Sequence, residues 1–176
     1  NRIFSIIKQK KENKIVNSFI TNQNEFLIVI SSLGRMFKFY LSNSYITPSS
    51  RQSQGSNLIK LLPQEKIIFG CNCKKDNDIT IVSEKGKFFR VKQNEISNSH
   101  IYKMGSLHEK IKLKNDNYFK LFTNNQFCIL ETNKEKIAKL SPKTIDIKDN
   151  KYLYDLDFIK FQEDEYIKNL TCLYYL

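Results

Sequence analysis

Three stretches of this chain repeat one pattern: an apolar strand, a tight polar turn, and a second apolar strand that begins with a basic residue. The copies span residues 29–39, 81–91 and, in a more divergent form, 129–140. The first two carry a glycine in the turn, Gly34 and Gly86. Self-similarity of this kind indicates a repeat architecture, which constrains the fold more than any local propensity does.

A second landmark sets the period of the repeat. Lys60, Lys112 and Lys160 each precede a large apolar residue, and they follow one another at intervals of 52 and 48 residues. A unit of about fifty residues with about four short strands is the size of one blade of a β-propeller. The chain is therefore predicted to be an all-β, propeller-like domain.

The apolar segments are short, rich in Ile, Val, Phe, Leu and Tyr, and separated by turn residues, as β-strands are. About three four-stranded blades are predicted, and so few units allow an open or reduced ring. The predicted strands are 26–30, 36–41, 58–62 and 67–69; then 79–82, 88–91, 101–104, 111–113 and 118–122; then 127–130, 137–140, 145–147, 153–161 and 170–176.

The period also divides the chain into units of a single repeat domain. Residues 21–72, 73–124 and 125–176 are predicted to be three blades, the last divergent, and residues 1–20 to be the end of a preceding blade. The pair Lys14-Ile15 lies 52 residues before Lys66-Ile67, which supports that boundary. Since the chain begins with Asn1 rather than Met, it is expected to be a fragment of a longer protein.

Turn chemistry predicts how each hairpin is closed. Gly34 and Gly86 are expected to adopt a positive φ. The third unit lacks this glycine, so its turn is predicted to be one residue longer, with Asn133 in the left-handed conformation. After the first turn, alternation places Phe37 and Phe39 on one face and Lys38 on the other, which is predicted to be exposed.

The charge of the chain favours a polyanionic partner. There are 29 Lys and Arg against 18 Asp and Glu, a net charge of +11. Residues 1–60 carry +7, residues 61–120 carry +5 and residues 121–176 carry −1. Nucleic acid or an anionic surface would suit such a field, which lies mainly in the first two units. A Lys-rich genome offers a plainer explanation, but it does not explain cations that recur at matched positions.

Few residues support catalysis, a metal site or a cofactor site. The four cysteines do not have zinc-ligand spacing, and His100 and His108 are the only histidines. There is no phosphate-binding glycine loop and no apolar stretch of membrane-spanning length. No catalytic residue, cofactor or metal is predicted, and the cysteines are weakly consistent with a reducing compartment.

Basic residues recur in register over the repeats, and they are the predicted site. A periodic rim of cations would suit the phosphates of a duplex. The loop 49–55 adds a cation, and its counterpart 100–105 adds another. The predicted DNA-binding residues are Arg35, Lys38, Arg51, Lys60, Lys87, Arg90, Lys103, Lys112, Lys136 and Lys139.

The segments 32–37, 48–55 and 57–67 closely resemble one blade of the C-terminal domain of the bacterial DNA gyrase A subunit and of its topoisomerase IV counterpart. The second unit fits through 84–91, Gly105 and Lys112-Leu113, so the resemblance covers roughly residues 25–122. The Gln-Arg-Arg-Gly-Gly-Lys-Gly type of box, tied to chiral wrapping by gyrase, is absent, and 51–55 is at best a degenerate echo of it.

The resemblance implies a β-pinwheel, a ring of blades that exchange strands, with a basic rim that bends or wraps duplex DNA. It implies a non-catalytic domain of a type IIA DNA topoisomerase whose partners are the rest of the A subunit and an ATP-hydrolysing B subunit. It also implies the cytoplasm of a bacterium, near the nucleoid, or a plastid-type organelle, and no membrane.

Two other classes of function stay open at this point. One is a propeller-like scaffold whose basic rim binds an acidic protein, and the weaker one is an enzyme built on a propeller. The DNA-binding hypothesis makes a direct prediction: charge reversal at Lys38 and Arg90 together should weaken DNA binding and leave the fold intact.

Overall fold

The computed structural model describes residues 12–41, 49–50, 53–108, 111, 113, 115–123, 126–141, 153–155, 162 and 164–174. These residues form eleven β-strands and one short 3-10 helix, Gln93–Glu95. The strands are β1 Phe26–Ser31, β2 Arg35–Tyr40, β3 Ile67–Cys73, β4 Asp78–Ser83, β5 Lys87–Lys92, β6 Ser106–Leu107, β7 Tyr118–Thr123, β8 Gln126–Thr132, β9 Ile137–Leu140, β10 Leu153–Asp155 and β11 Ile167–Tyr174. The predicted all-β class is confirmed.

The strands form three antiparallel sheets, one for each predicted blade. Their orders are β3-β1-β2-β6, β10-β5-β4-β7 and β11-β8-β9. In the first two sheets the hairpin that carries the repeated sequence supplies the two central strands. In the third sheet this hairpin consists of β8 and β9. The described strands therefore give two four-stranded sheets and one three-stranded sheet, and the sheets do not close into a ring.

Each of the first two sheets is completed by a strand from the following unit. The short strand β6 lies after β5 in the chain but pairs with β2, where Arg35 is opposite Leu107. In the same way β10 lies after β9 but pairs with β5, where Leu153 is opposite Phe89. This is the strand exchange of a pinwheel. The unit boundaries 21–72, 73–124 and 125–176 remain a proposal, since each boundary is crossed by a sheet.

This exchange of β6 between units requires the chain just before β6 to pass very close to β2. A Cβ on Gly105 would lie 2.5 Å from the Met36 carbonyl oxygen and 2.9 Å from the Phe37 ring. Only glycine permits that approach just before β6, because any side chain would overlap the strand that β6 pairs with.

Apolar side chains fill the spaces between neighbouring sheets. Alternate residues of β1 and β4, such as Ile28 and Ile81, meet between the first two sheets. Val82 of β4 and Leu130 of β8 meet between the second and the third. Consequently both faces of the second sheet are covered, and its strands read as nearly continuous apolar runs rather than half-polar ones.

The outer face of the first sheet is covered by chain that is not in a strand. Phe37 and Phe39 pack there against Leu58, Ile59 and Ile101. The predicted strand 58–62 is wrong, since Ile59 makes only an isolated bridge to Lys103, and 101–104 forms a turn that ends in that bridge. These segments are apolar because they cover the outer face of the sheet. A short apolar run in the sequence does not show whether it forms a strand or such a cover.

Other predicted strands differ or fall outside the described residues. Neither Ile111 nor Leu113 is in a strand, and Ile111 is a buried part of the core between the first two sheets. The segments 145–147, 156–161 and 175–176 lie outside the described residues, so those predictions are untested. The remaining strands agree with the prediction to within a few residues at their ends.

All three hairpin turns have the same length. Gly34 and Gly86 adopt φ of 76° and 78°, as predicted. In the third unit Glu135, not Asn133, has the positive φ, at 61°. The amide of Glu135 donates to the Thr132 carbonyl, as the amides of the two glycines do to the equivalent residues. The prediction of a longer third turn is therefore wrong: the loop keeps its geometry and a glutamate takes the left-handed position.

Candidate nucleic-acid interface

The basic residue after each turn is held by a hydroxyl at the end of the preceding strand. The backbone amides of these cations donate to side-chain oxygens four residues earlier, and the pairs are Arg35 with Ser31 at 3.2 Å, Lys87 with Ser83 at 3.0 Å and Lys136 with Thr132 at 3.4 Å. The repeat therefore places the three cations in the same position at the end of each blade.

In two of the three blades this cation is paired with a buried carboxylate. The Arg35 Nε lies 3.4 Å from Glu65 Oε1, and the Lys136 Nζ donates to Glu165 Oε2 at 2.7 Å. Glu65 also accepts from the hydroxyl of Ser31 at 2.5 Å. Sequence reasoning missed these acids, although Glu65 and Glu165 stand at the same place in their units, two residues before β3 and β11.

The environment of Glu165 shows why its pair is structural. Burial raises the pKa of this carboxyl, but hydrogen bonds from Lys136, the Gln162 amide and Thr132 outweigh burial and lower the pKa to about 2. Glu165 is therefore a buried acceptor, 3% exposed, that neutralises Lys136.

Lys38 is the clearest departure from the predicted site. Its side chain was expected on an exposed face but is 6% exposed, and its Nζ donates to the Gln93 carbonyl at 3.1 Å. The Phe26 ring lies 5.6 Å from the same ammonium group. Burial lowers the pKa of Lys38. The alternation was right, but the second face of β2 packs on the next blade, so Lys38 cannot contact DNA at the surface in this arrangement.

Arg90, the equivalent of Lys38 in the second blade, is half-buried and paired. Its Nη2 lies 2.7 Å from Asp78 Oδ2, and its Nε donates to the same oxygen at 2.8 Å. Both cations are held by internal partners, so we now expect charge reversal at Lys38 and Arg90 to disturb the fold.

Lys60 and Lys103 form the exposed basic site that the structure brings together. Residues 59 and 103 are joined by a parallel bridge, and the Lys60 amide donates to the Lys103 carbonyl at 3.2 Å. Both side chains are exposed. We call these two residues the basic clamp. They come from different units, 43 positions apart in sequence, and the turn 100–103 brings them together in the cover over the outer face of the first sheet.

The remaining predicted residues are scattered or undescribed. Lys139 is exposed on β9, with its Nζ 4.6 Å from the Phe127 ring centre, and Lys87 is half-buried. Arg51 and Lys112 lie outside the described residues, so their placement is untested. Of the ten predicted residues, the described structure leaves Lys60, Lys103 and Lys139 exposed.

Several exposed lysines were not predicted. Six of them lie at hairpin tips, in turns or at the ends of strands, where the sequence offered only the general rule that such positions are exposed. These six are Lys66, Lys74, Lys75, Lys85, Lys92 and Lys134. Lys85 and Lys134 occupy matching tips in the second and third blades, where the first has Leu33. A search for recurring charge in the turns, rather than after them, would have found this pair.

Within the described ranges, no group of three or more His, Cys, Asp and Glu side chains is placed to hold a metal ion. No helix among the described residues is long and apolar enough to cross a membrane.

Comparison with known proteins identifies structures with a similar fold but no protein with a similar sequence. No family model matches the chain, and no curated protein sequence does. A solved C-terminal domain of DNA topoisomerase IV is similar in structure, with a TM-score of 0.78 and 17% identity over 96% of this chain and 53% of that one.

Two other solved domains are similar at lower scores. The DNA gyrase A C-terminal domain has a TM-score of 0.51 and 11% identity over 86% of this chain and 66% of its own. The E. coli ParC C-terminal domain has a TM-score of 0.55 and 14% identity over 87% of this chain and 64% of its own. This chain thus spans about half to two-thirds of the length of those domains. Its open, strand-exchanging β-pinwheel is the fold of the C-terminal domains of gyrase A and topoisomerase IV.

Proposed function

We propose that this chain binds duplex DNA without base specificity and bends or wraps it, as the C-terminal, non-catalytic domain of a type IIA topoisomerase A subunit. The observation that carries the proposal is the basic clamp of Lys60 and Lys103, two exposed cations whose backbones are joined in a fold shared with those domains. The net charge of +11 supports an anionic partner.

The mechanism is electrostatic. Exposed lysines replace condensed counterions on the phosphates, which releases those ions and favours binding at low salt. Smooth bending of a 20–30 bp segment requires about 1–6 kcal/mol, so several phosphate contacts are needed to offset it. The clamp alone is too small for this, and the two hairpin-tip lysines Lys85 and Lys134 extend the contact in our proposal.

The parent enzyme supplies the chemistry. In this proposal the rest of the A subunit cleaves DNA and an ATPase B subunit drives the cycle, while this domain holds a curved segment nearby. The location would be that of the genome, either a bacterial cytoplasm or a plastid-type organelle. Arg51 and Lys112 are proposed as further phosphate contacts, on the strength of their place in the repeat.

The test measures the affinity of the purified chain for random-sequence duplexes of about 20 and about 150 bp at two salt concentrations. Phosphate-dominated binding predicts a steep loss of affinity with salt. Bending or wrapping predicts tighter binding to the long duplex than its larger number of sites explains. Equal, weak binding to both lengths would contradict the proposal and favour a scaffold that docks an acidic protein.

A matched pair of double variants tests whether the basic clamp is the DNA-binding surface. Lys60→Glu with Lys103→Glu reverses the clamp, whereas Lys74→Glu with Lys75→Glu makes the same charge change on the exposed turn between β3 and β4. We expect the first variant to lose far more affinity than the second. Equal losses would mean that overall charge, and not the clamp, determines binding.

A further inference from the structure

Two cysteines face each other across the third sheet. Cys128 of β8 and Cys172 of β11 are directly opposite in antiparallel register. Directly opposite residues project to the same face, with Cα atoms about 4.5–5.5 Å apart. That range lies within the roughly 4.4–6.8 Å that a disulfide spans. Both thiols are free.

The two thiols differ in their access to solvent. Cys128 is 0% exposed and belongs to the core between the second and third sheets. Cys172 is half-buried and lines a cavity of about 550 Å³ where β3, β7 and β11 approach the segment 17–22. A small reagent that enters the cavity therefore reaches Cys172 and does not reach Cys128 directly.

A cation lies beside this pair. Lys120 of β7 lines the same cavity, its Nζ donates to the carbonyl of Leu170 on β11, and it lies 5.4 Å from the Phe69 ring centre. Hydrogen bonding to Cys128 and the charge of Lys120 lower the pKa of Cys172, against the effect of burial. A thiolate is the reactive form of cysteine, and a neighbouring ammonium favours it.

The other two cysteines provide an internal comparison. Cys71 lines the same cavity, but burial raises the pKa of its thiol. Burial likewise raises the pKa of Cys73 to about 12. In register, Cys71 and Cys73 are both on β3 and are opposite Ile28 and Phe26, so neither has a facing cysteine.

We propose that Cys172 and Cys128 form a two-electron oxidation site, in which a hydroperoxide oxidises Cys172 and Cys128 resolves it to a cross-strand disulfide. The inference depends on the register, the cavity and Lys120, and not on DNA binding.

The oxidation takes place in two steps. The Cys172 thiolate attacks the O–O bond of the hydroperoxide, forms a sulfenic acid, and releases an alkoxide or hydroxide that takes up a proton. The Cys128 thiol then attacks the Cys172 sulfur, the S–S bond forms, and water leaves. In total, two thiols and one hydroperoxide give one disulfide, one alcohol or water from the peroxide, and one further water.

Peptide mapping of the intact wild-type chain is the direct test. After treatment with hydrogen peroxide and alkylation of the remaining thiols, we expect one linked peptide pair that joins residues 128 and 172. The protein should lose two hydrogen atoms in mass, and a reductant should reverse the change. Linkage of Cys172 to Cys71 instead, or oxidation of all four cysteines at the same rate, would overturn the proposal.

Variants separate the two steps. In Cys128→Ser, Cys172 should stop at the sulfenic acid and become trapped by dimedone, whereas Cys71→Ser should form the same disulfide as the wild type. Trapping at Cys71 rather than Cys172 in the first variant would also overturn the assignment. If Cys128→Ser does not fold, the wild-type mapping and Cys71→Ser still decide the outcome.

Discussion

The ammonium of Lys136 donates to the buried Oε2 of Glu165 at 2.7 Å, and Arg35 lies 3.4 Å from Glu65 at the equivalent place in the first blade. In the first and third blades the cation at this position therefore pairs within its own blade. Basic residues that recur along this chain thus have two different roles, internal pairing in some positions and exposure to solvent in others.

The Glu165 pair should make stability depend on acid pH. The pKa of Glu165 is about 2 when folded, against an ordinary value of 4.5. Because the unfolded chain binds this proton first as the pH falls, the stabilisation is complete above pH 4.5 and is lost as the pH falls toward about 2. We expect Glu165→Gln to lower the free energy of unfolding by about 1–3 kcal/mol at pH 7, measured by urea unfolding.

The difference between Glu165→Gln and wild type should shrink between pH 4.5 and pH 2. Glu131→Gln is the matched control, because Glu131 pairs at 3.6 Å with Lys168 on an exposed surface. Its effect should be below about 1 kcal/mol. A constant gap between Glu165→Gln and wild type down to pH 2 would contradict the role of the carboxylate.

Substitutions of Lys38 should change stability as expected for a buried charged residue. Lys38→Met keeps the apolar stem against Phe26 and removes the buried charge, so the fold should survive with a small change in stability. Lys38→Glu would place a carboxylate beside the Gln93 carbonyl, with no donor in place of the ammonium. We expect it to destabilise the domain by about 3–5 kcal/mol, measured by thermal unfolding. Equal stability of the two variants would mean that Lys38 is exposed in solution.

Gly105→Ala tests the strand exchange. A methyl group there would overlap the Met36 carbonyl oxygen at 2.5 Å, so β6 would have to move away from β2. A loss of about 1–3 kcal/mol is typical of overpacking. Gly70→Ala is the comparison, since its nearest contact would be 3.4 Å, to Val29. Hydrogen exchange should show loss of protection in Arg35 and Met36 only for Gly105→Ala.

Single alanine variants of the clamp give a prediction about salt. If Lys60 and Lys103 each contact one phosphate, Lys60→Ala and Lys103→Ala should each reduce the slope of log affinity against log salt by about 1. Lys74→Ala on the β3–β4 turn should leave the slope unchanged. A titration of a fluorescent 150 bp duplex at four salt concentrations measures this. Unchanged slopes in all three variants would place the DNA on another surface.

The local part of the fold could be predicted from the sequence because it depends on local chemistry. Gly34 and Gly86 adopt the positive φ that a three-residue hairpin loop needs, and the flanking β-branched and aromatic residues form the strands. The third turn shows the limit of this reasoning. Register and strand pairing kept the loop length and forced Glu135 into a conformation that its side chain does not favour.

The placement of the charges was not predictable in the same way. Alternation correctly separated Lys38 from Phe37, but it could not tell that the next blade covers the second face. Nor could it tell that Glu65, 30 residues after Arg35, would return to pair with it. Contacts between units depend on the path of the chain in three dimensions, and the period of a single strand contains no information about that path.

The sequence by itself determined the repeat, the all-β class, the hairpins and the excess of positive charge, because each follows from spacing and composition within one unit. The tertiary structure decided that β6 and β10 complete neighbouring sheets, that Lys38 is buried, and that Lys60 lies beside Lys103. It also brought Cys128 opposite Cys172. The physical reason is that burial and pairing across units are properties of packed sheets, in which the same residue type is a core group on one face and a surface group on another.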